Sequence, residues 1–273
     1  MPSTREKVAA FRALHKKGAP LVAPNPWDAG SARILQGLGF KALATTSSGF
    51  ALTLGRNDYG VTREEAIGHG RLVAGAVDIP VSADLENGFG AAPEDAATTI
   101  RAAAATGLAG GSIEDSTGDA DDPIIEKSLA VERIAAAVEA ARASKDGFVL
   151  TARAEGFLWG CGELSEIIAR LQAFEEAGAD VLFAPGLPNM DAVKAVCSSL
   201  DKPVNVLAMS KLLAHPLEDF AAAGVARLST GGALAFSAYG MLAPLADAML
   251  RDGSFKAPMA NLDAIKRVRG FLR

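Results

Sequence analysis

Residues 80–115 read PVSADLENGFGAAPEDAATTIRAAAATGLAGGSIED. Two short runs, PVSADLE (80–86) and GGSIED (110–115), bracket an Ala-rich segment of helical pattern that stops at Gly107. Strand, helix, strand in that order implies a parallel pair, because parallel strands need a crossover connection. The same alternation continues to both sides. Further β-rich runs are PLVAP (20–24), ALATTS (42–47), FVLTARAE (148–155), VLFAPG (181–186), PVNVLA (203–208) and RLST (227–230). Between them lie helical segments such as DAGSARILQGLG, LAVERIAAAVEAARAS, ELSEIIARLQAFEEAG and PLEDFAAAG. Gly39, Gly107, Gly178 and Gly224 follow last helical residues, where a left-handed C-cap favours Gly. Eight such units in about 250 residues is the count of a (β/α)8 TIM barrel. An open doubly wound sheet is the rival, but no GxGxxG follows the first strand and eight units exceed its usual number. The barrel is the expected fold.

The chain has 273 residues, 49% hydrophobic and 22% charged, with no composition break that would divide it, so residues 1–273 are expected to form one domain. A formal net charge of -5 advertises no surface for nucleic acid. Two Cys (Cys161, Cys197) and three scattered His exclude a disulfide scaffold and a Cys- or His-type zinc site. Any metal must be hard and oxygen-bound. No stretch reaches 18 uninterrupted apolar residues, so no membrane span is expected. MPSTREKVAAFRALHKKG reads as an amphipathic helix at the N-terminus and not as a signal peptide, which makes a cytoplasmic protein the expectation.

In such a barrel the chemistry sits where the strands end. The run ends supply Asn25, Ser47 and Ser48, Asp84 and Glu86, Glu114 and Asp115, Arg153 and Glu155, Asn205, and Ser229 with Thr230-Gly231-Gly232. Strand ends meet water and are often polar, which accounts for single residues better than for five carboxyls and an Arg together. Period two puts Ser82, Asp84 and Glu86 on one strand face, and Glu114 points the same way from the next strand. Carboxylates so placed repel one another and are costly to bury, and a divalent cation relieves both problems. Mg²⁺ suits the set Asp84, Glu86 and Glu114, with Mn²⁺ as an alternative, because it takes oxygen ligands and keeps several waters. The competing reading is a solvated rim of surface salt bridges. Arg153 is placed to clamp a substrate carboxylate with its planar fork. Internal ion pairs with Glu155 or Glu114 are the alternative. TTSSGF offers donors around Gly49 for an oxyanion, and LSTGG either cradles an anion or simply permits close packing.

Taken in order along the chain, SSGF…GRNDYG, SADLENGFG, IEDSTG and TARAEGF resemble the isocitrate lyase / phosphoenolpyruvate mutase superfamily. The resemblance runs from PNPWDAGSAR, ending at Arg33, to about Gly240. It implies a (β/α)8 barrel with an N-terminal helix and a C-terminal helical segment swapped between subunits, in homotetramers built from dimers. It also implies Mg²⁺, a small carboxylic acid ligand, and C–C or P–C bond chemistry through an enolate. Carried over by motif, Asp84 holds the metal, with Asp58, Glu86 and Glu114 completing the shell mostly through water. Ser48, Gly49 and the backbone of Phe50 hold the carboxylate or enolate oxygen, Arg153 binds the same ligand, and Asn205 is a specificity contact. Asp58 or Glu114 is the base for an aldol-type hydroxy acid.

Two departures matter. Glu86 stands where the family commonly has Asp. The loop after Glu114 reads DSTGDADDPIIEKSLAVERI, without the Cys-containing motif of the isocitrate and methylisocitrate lyases and without the mutase Lys-Thr-Asn signature. Within that loop only Glu126 and Lys127 have reactive side chains to offer, and both fall at the start of the next helix; Cys161 is no obvious substitute for the Cys. The leading expectation is an Mg²⁺-dependent carbon–carbon lyase or decarboxylase on a small 2-oxo or 2-hydroxy acid. Decarboxylation tolerates the missing Cys best, since departing CO2 leaves its electrons behind. A P–C mutase or hydrolase on a phosphonopyruvate-like substrate, and a non-catalytic 2-oxo acid-binding protein, are the alternatives.

Overall fold

The computed structural model describes residues 2–256 and 262–272. Its strands are β1 (Leu21–Ala23), β2 (Leu43–Ala44), β3 (Val81–Asp84), β4 (Gly110–Glu114), β5 (Val149–Arg153), β6 (Val181–Phe183), β7 (Val204–Leu207) and β8 (Arg227–Ser229). They pair in parallel in the order β1-β8-β7-β6-β5-β4-β3-β2. The two ends of that order meet where Ala44 N–H donates to Pro24 O at 3.2 Å. Eight parallel strands in a nearly closed barrel are the (β/α)8 fold expected from the alternation.

The helices are α1 (Thr4–Leu14), α2 (Ala29–Gly37), α3 (Ser47–Thr53), α4 (Arg63–Ala76), α5 (Pro93–Ala104), α6 (Lys127–Arg142), α7 (Leu164–Glu176), α8 (Met190–Ser198), α9 (Leu217–Ala222), α10 (Ala233–Gly240), α11 (Leu242–Asp252) and α12 (Leu262–Phe271). The four glycines read as C-caps all have positive φ. The long connection after β2 contains a helix of its own, α3, which proves important for the site.

Two cores hold the barrel. The larger lies between sheet and helices and includes Ile100, Ile113, Ile134, Leu150 and Leu171, all essentially inaccessible to water. The smaller closes the barrel floor, where Val8 and Phe11 of α1 meet Leu21, Val149 and Val181. A Ser3–Glu6 capping box starts α1, and Lys7 Nζ donates to Val77 O at 2.6 Å, which fixes the helix across the floor. Gly110 makes room for the plug. A Cβ there would sit 2.5 Å from Val149 O and 3.2 Å from the Phe11 ring.

Above the floor the interior turns polar. Arg227 donates to Asn205 Oδ1 at 2.8 Å and Thr151 Oγ1 at 3.2 Å, and its guanidinium lies 3.2 Å from His15 Nε2. Burial, and then the charge of Arg153, lowers the Arg227 pKa to about 9. Burial and the charge of Arg227 likewise push His15 down to about 3.

The chain has no uninterrupted apolar run of membrane length, yet one interrupted run stands out at Ala233–Asp252. This helical run of 20 residues reaches a mean hydropathy of 1.4 and is 6% buried, long and apolar enough by length and composition to cross a bilayer. Ser237, Gly240, Pro244 and Asp247 interrupt its apolar sequence, which is why a search for unbroken runs passes over it. From there α12 returns to α2, where the Phe271 ring would lie 2.2 Å from a Cβ on Gly37.

Candidate active site

The barrel mouth is built from the ends of β2 to β5. Thr46 ends β2 in extended conformation and caps α3, its Oγ1 accepting Gly49 N–H at 3.2 Å and lying 3.1 Å from Ser48 Oγ. Phe50 N–H is spent on Thr46 O at 3.0 Å. Two of the backbone donors assigned to a substrate oxygen are therefore occupied by the helix's own start. Ser47 N–H instead reaches across to Asp84 Oδ2 at 3.1 Å. The Phe50 ring stacks on His69, centroids 4.0 Å apart.

At the centre stands Arg153. Its Nη1 lies 2.8 Å from Asp84 Oδ1 and 3.1 Å from Glu114 Oε2, and its Nε donates to Glu155 Oε1 at 2.8 Å. The guanidinium also sits 5.1 Å from the Phe183 ring centroid. The internal ion pairs held open in the sequence are thus both present, with Asp84 added. Register explains this, since β4 and β5 pair Glu114 directly with Arg153.

Five carboxyls gather around this one guanidinium. Glu86 follows β3 with a φ of 47°, which turns it off the strand path and buries it at 4% exposure. Its Oε1 has no hydrogen-bond partner, and neither does Glu155 Oε2. Burial, with the charges of Asp84 and Asp58, pushes the Glu86 pKa up to about 8. Glu155, fully buried, rises to about 7, with burial as the main cause and Arg153 opposing it. Burial also lifts Glu114 well above the ordinary carboxylic range. Asp58 stands on the exposed loop between α3 and α4; crowding by protein and the charge of Asp84 raise it, and its access to water limits that rise.

Tyr59 and Glu155 complete the cluster; Glu155 enters the sequence reading as an ion-pair partner of Arg153, and Tyr59 has no role there. Tyr59 donates a hydrogen bond to Glu114 Oε1, and burial beside Glu114 holds its phenol protonated well beyond the ordinary range. Its place in the RNDYG segment, next to Asp58, is the signal that could have found it. Behind these, Asp115 accepts Glu155 N–H at 2.7 Å and pairs with Arg170 at 3.3 Å; burial still lifts it to about 6.

Asn205 lies below the mouth, 1% exposed, its Oδ1 taken by Arg227 and its Nδ2 donating to Ser229 Oγ at 3.0 Å. The anion cradle weighed at LSTGG is filled by the protein itself: Asn25 Oδ1 accepts Thr230 N–H at 2.8 Å and Gly231 N–H at 3.0 Å. Close packing is the reading that holds for Gly232, where a Cβ would stand 2.7 Å from Ser48 Oγ. Glu126 caps α6 by accepting Ser128 N–H at 2.8 Å, and Lys127 begins that helix.

A hard divalent cation suits this donor set. The carboxyls outnumber the cation beside them, and two buried carboxylate oxygens are orphaned. Among the described residues no three His, Cys, Asp or Glu converge to hold an ion by themselves. Mg²⁺ does not require that, because one or two carboxylates with water complete its shell. Asp84 and Arg153, with Asn205 and Arg227, line a recess of about 70 Å³, room for a head group only.

A family model described as phosphoenolpyruvate phosphomutase matches residues 11–250. The chain belongs to this family. The resemblance carried by the four motifs is thereby established. A crystal structure from Burkholderia cenocepacia J2315, described only as a lyase/mutase, is 47% identical to this phosphoenolpyruvate phosphomutase family member. It superposes with a TM-score of 0.93 and covers 99% of this chain and 97% of its own. The 2-methylisocitrate lyase of Escherichia coli K12 is 29% identical, over 71% of this chain and 67% of that enzyme. Oxaloacetate decarboxylase 1 of Pseudomonas putida W619 is 28% identical, over 84% and 80%. A phosphonopyruvate hydrolase solved with oxalate and Mg²⁺ is 25% identical, with a TM-score of 0.81 over 98% of this chain and 95% of its own.

Proposed function

We propose that the chain is an Mg²⁺-dependent lyase that breaks a carbon–carbon bond, by cleavage or decarboxylation, in a small 2-oxo or 2-hydroxy carboxylic acid. The observation that carries this is Arg153, held at the barrel mouth by three carboxylates beside two orphaned carboxylate oxygens. Such a guanidinium can exchange a protein carboxylate for a substrate carboxylate without losing a charge-assisted bond. The relatives named lyase and decarboxylase, and the oxalate and Mg²⁺ of the phosphonopyruvate hydrolase, support the reading.

Asp84, Glu86 and Glu114 would hold the ion, which when bound supplies Lewis-acid stabilisation to the developing oxyanion. Arg153 orients the carboxylate head. Asp58, open to water, takes the proton from a 2-hydroxyl where the substrate carries one. The Tyr59 phenol, hydrogen-bonded to Glu114, keeps a proton at the mouth, available to the carbanion carbon after bond cleavage.

The phosphonate reading asks for cations to steady phosphoryl oxygens. Lys127, opening α6, and Arg63, whose guanidinium already donates to Phe89 O at 3.0 Å and pairs with Asp95 at 3.2 Å, are poor sources of them. Calorimetry with oxalate and Mg²⁺, followed by a turnover screen on oxaloacetate, methylisocitrate, dimethylmalate-like and phosphonopyruvate substrates, separates the three readings. Asp84→Ala should abolish Mg²⁺ binding and turnover with the far-UV spectrum unchanged. A fully active variant overturns the metal assignment, and oxalate binding without any turnover favours the binding protein.

For assembly we propose a homo-oligomer, a tetramer by the family resemblance, in which a second copy covers the apolar run Ala233–Asp252. Met241, Leu242 and Leu250 are 59%, 64% and 85% exposed there, more apolar surface than a monomer ordinarily leaves in water.

A further inference from the structure

Deeper in the barrel than Arg153 lies a second guanidinium, Arg227, which is 4% exposed. A guanidinium carries five N–H groups. Three are spent, Nε on Asn205 Oδ1, Nη2 on Thr151 Oγ1 and Nη1 on His15 Nε2. His15 Nδ1 lies 2.8 Å from Phe11 O, which can only accept, so Nδ1 carries the ring proton and Nε2 is the accepting atom. All three partners are therefore neutral. The Phe11 ring, 5.9 Å from the guanidinium carbon, adds attraction but no counter-charge. Among the described residues no carboxylate pairs with Arg227, in contrast to the three that hold Arg153. Buried charges are paired as a rule, because an unpaired one gives up its hydration for nothing.

Arg227 lines the recess of about 70 Å³ that Asp84 and Arg153 also line. Ser82 on β3 and Ser112 on β4 line it too, 4% and 8% exposed. Each stands two residues before a carboxyl of the mouth, Asp84 and Glu114, so period two turns both inward. Among the described residues neither hydroxyl makes a hydrogen bond to protein. The charged groups lining the recess are Asp84, Arg153 and Arg227. Asp84 is already answered by Arg153 at 2.8 Å and by Ser47 N–H at 3.1 Å. What remains is the charge of Arg227 beside two hydroxyl donors. A recess of this size holds about two waters or one small anion. Water satisfies the hydroxyls and leaves the charge unmatched, whereas an anion answers both.

We propose that the recess binds one small monovalent anion, of chloride or formate size, held by Arg227 and the hydroxyls of Ser82 and Ser112. Two guanidiniums exclude a cation here, and the volume excludes a larger oxyanion. The site lies below the carboxyls assigned to Mg²⁺ and does not depend on the reaction proposed above. There is room for one guest, so a carboxylate head group brought in by Arg153 displaces the ion. Arg227 then faces a carboxylate where it faced the ion, and its charge is matched in both states.

Broadening of the chloride NMR line by the full-length protein tests this, with ionic strength held constant by a bulky buffer anion. Wild type should broaden the line, and saturating formate, the smallest carboxylate, should narrow it again. Arg227→Gln should abolish the formate-sensitive broadening. Should that variant fail to fold, Ser82→Ala combined with Ser112→Ala decides the matter, since it trims two hydroxyls and adds no bulk. Its chloride affinity should fall at least about tenfold, the loss of two hydrogen bonds to a charged group. Crystals grown in bromide should show the anomalous signal of one ion within hydrogen-bond reach of Arg227 and both hydroxyls. Water alone at that place, broadening that formate does not reverse, or unchanged affinity in the folded double variant overturns the site.

Discussion

Replacing Glu86 by Gln should stabilise the metal-free protein while removing most of its response to Mg²⁺. Glu86 is 4% exposed with an orphaned Oε1, and its pKa is raised from 4.5 to about 8. The folded pKa lies above the unfolded one, so the native state binds the extra proton between those values. The stability this proton supplies is fully present below about pH 4.5 and is lost as pH rises through about 8. At pH 7.5 the unfolded chain ionises Glu86 freely and the folded chain does not, a penalty bounded at about 4 kcal/mol. Relaxation and water entry reduce it to about 1–3 kcal/mol, since buried charges recover part of their solvation. A Gln of the same shape escapes that penalty and can still accept the Tyr59 backbone hydrogen bond. In a chain of this size the gain corresponds to roughly 3–8 °C in melting temperature. Thermal unfolding followed by circular dichroism in chelator, at pH 7.5 and pH 5, measures it. The gap should shrink to less than about 1 kcal/mol at pH 5, which lies only about half a unit above the unfolded pKa. Added Mg²⁺ should raise the wild-type midpoint and move the variant little. A variant no more stable than wild type at pH 7.5, or a gap that does not close on acidification, refutes the account of Glu86.

Phe11→Ala removes the floor plug and should cost about 3–5 kcal/mol in denaturant unfolding, with kcat near wild type at low temperature because the mouth lies at the other end of the barrel. Cys161→Ser should lower turnover by less than about tenfold; a loss of several decades would mean that this thiol supplies the proton. Leu242→Glu with Leu250→Glu should reduce the molar mass measured by light scattering while leaving the far-UV spectrum unchanged, and an unchanged assembly would show that Ala233–Asp252 is not the contact between copies.

The fold was legible because strand and helix periodicities are local and repeat along the whole chain. One strand–helix–strand unit at 80–115 implies a parallel sheet, and its recurrence closes the barrel. Asp84, Glu114 and Arg153 were legible for a related reason: period two decides which side chains point inward, and strand ends decide which of those meet the mouth. Glu86 was placed on the same face by that rule, yet its left-handed backbone carries it off the strand and into a buried corner. Tyr59 escaped because it sits in a loop, where no periodicity fixes direction. The Gly49 and Phe50 N–H groups turn to Thr46 because Thr46 caps α3, a detail visible only once a helix is seen inside the β2 connection.

By itself, then, the sequence determined the barrel and the acidic character of its rim, which follow from composition and spacing, and its resemblance to the family marked the loss of the lyase Cys. Only the tertiary structure decided that Arg153 binds three carboxylates at once and that two carboxylate oxygens remain unpaired. Those are facts about residues distant in the chain brought within a few ångströms. Burial then changes their protonation and their partners in ways that no local pattern encodes.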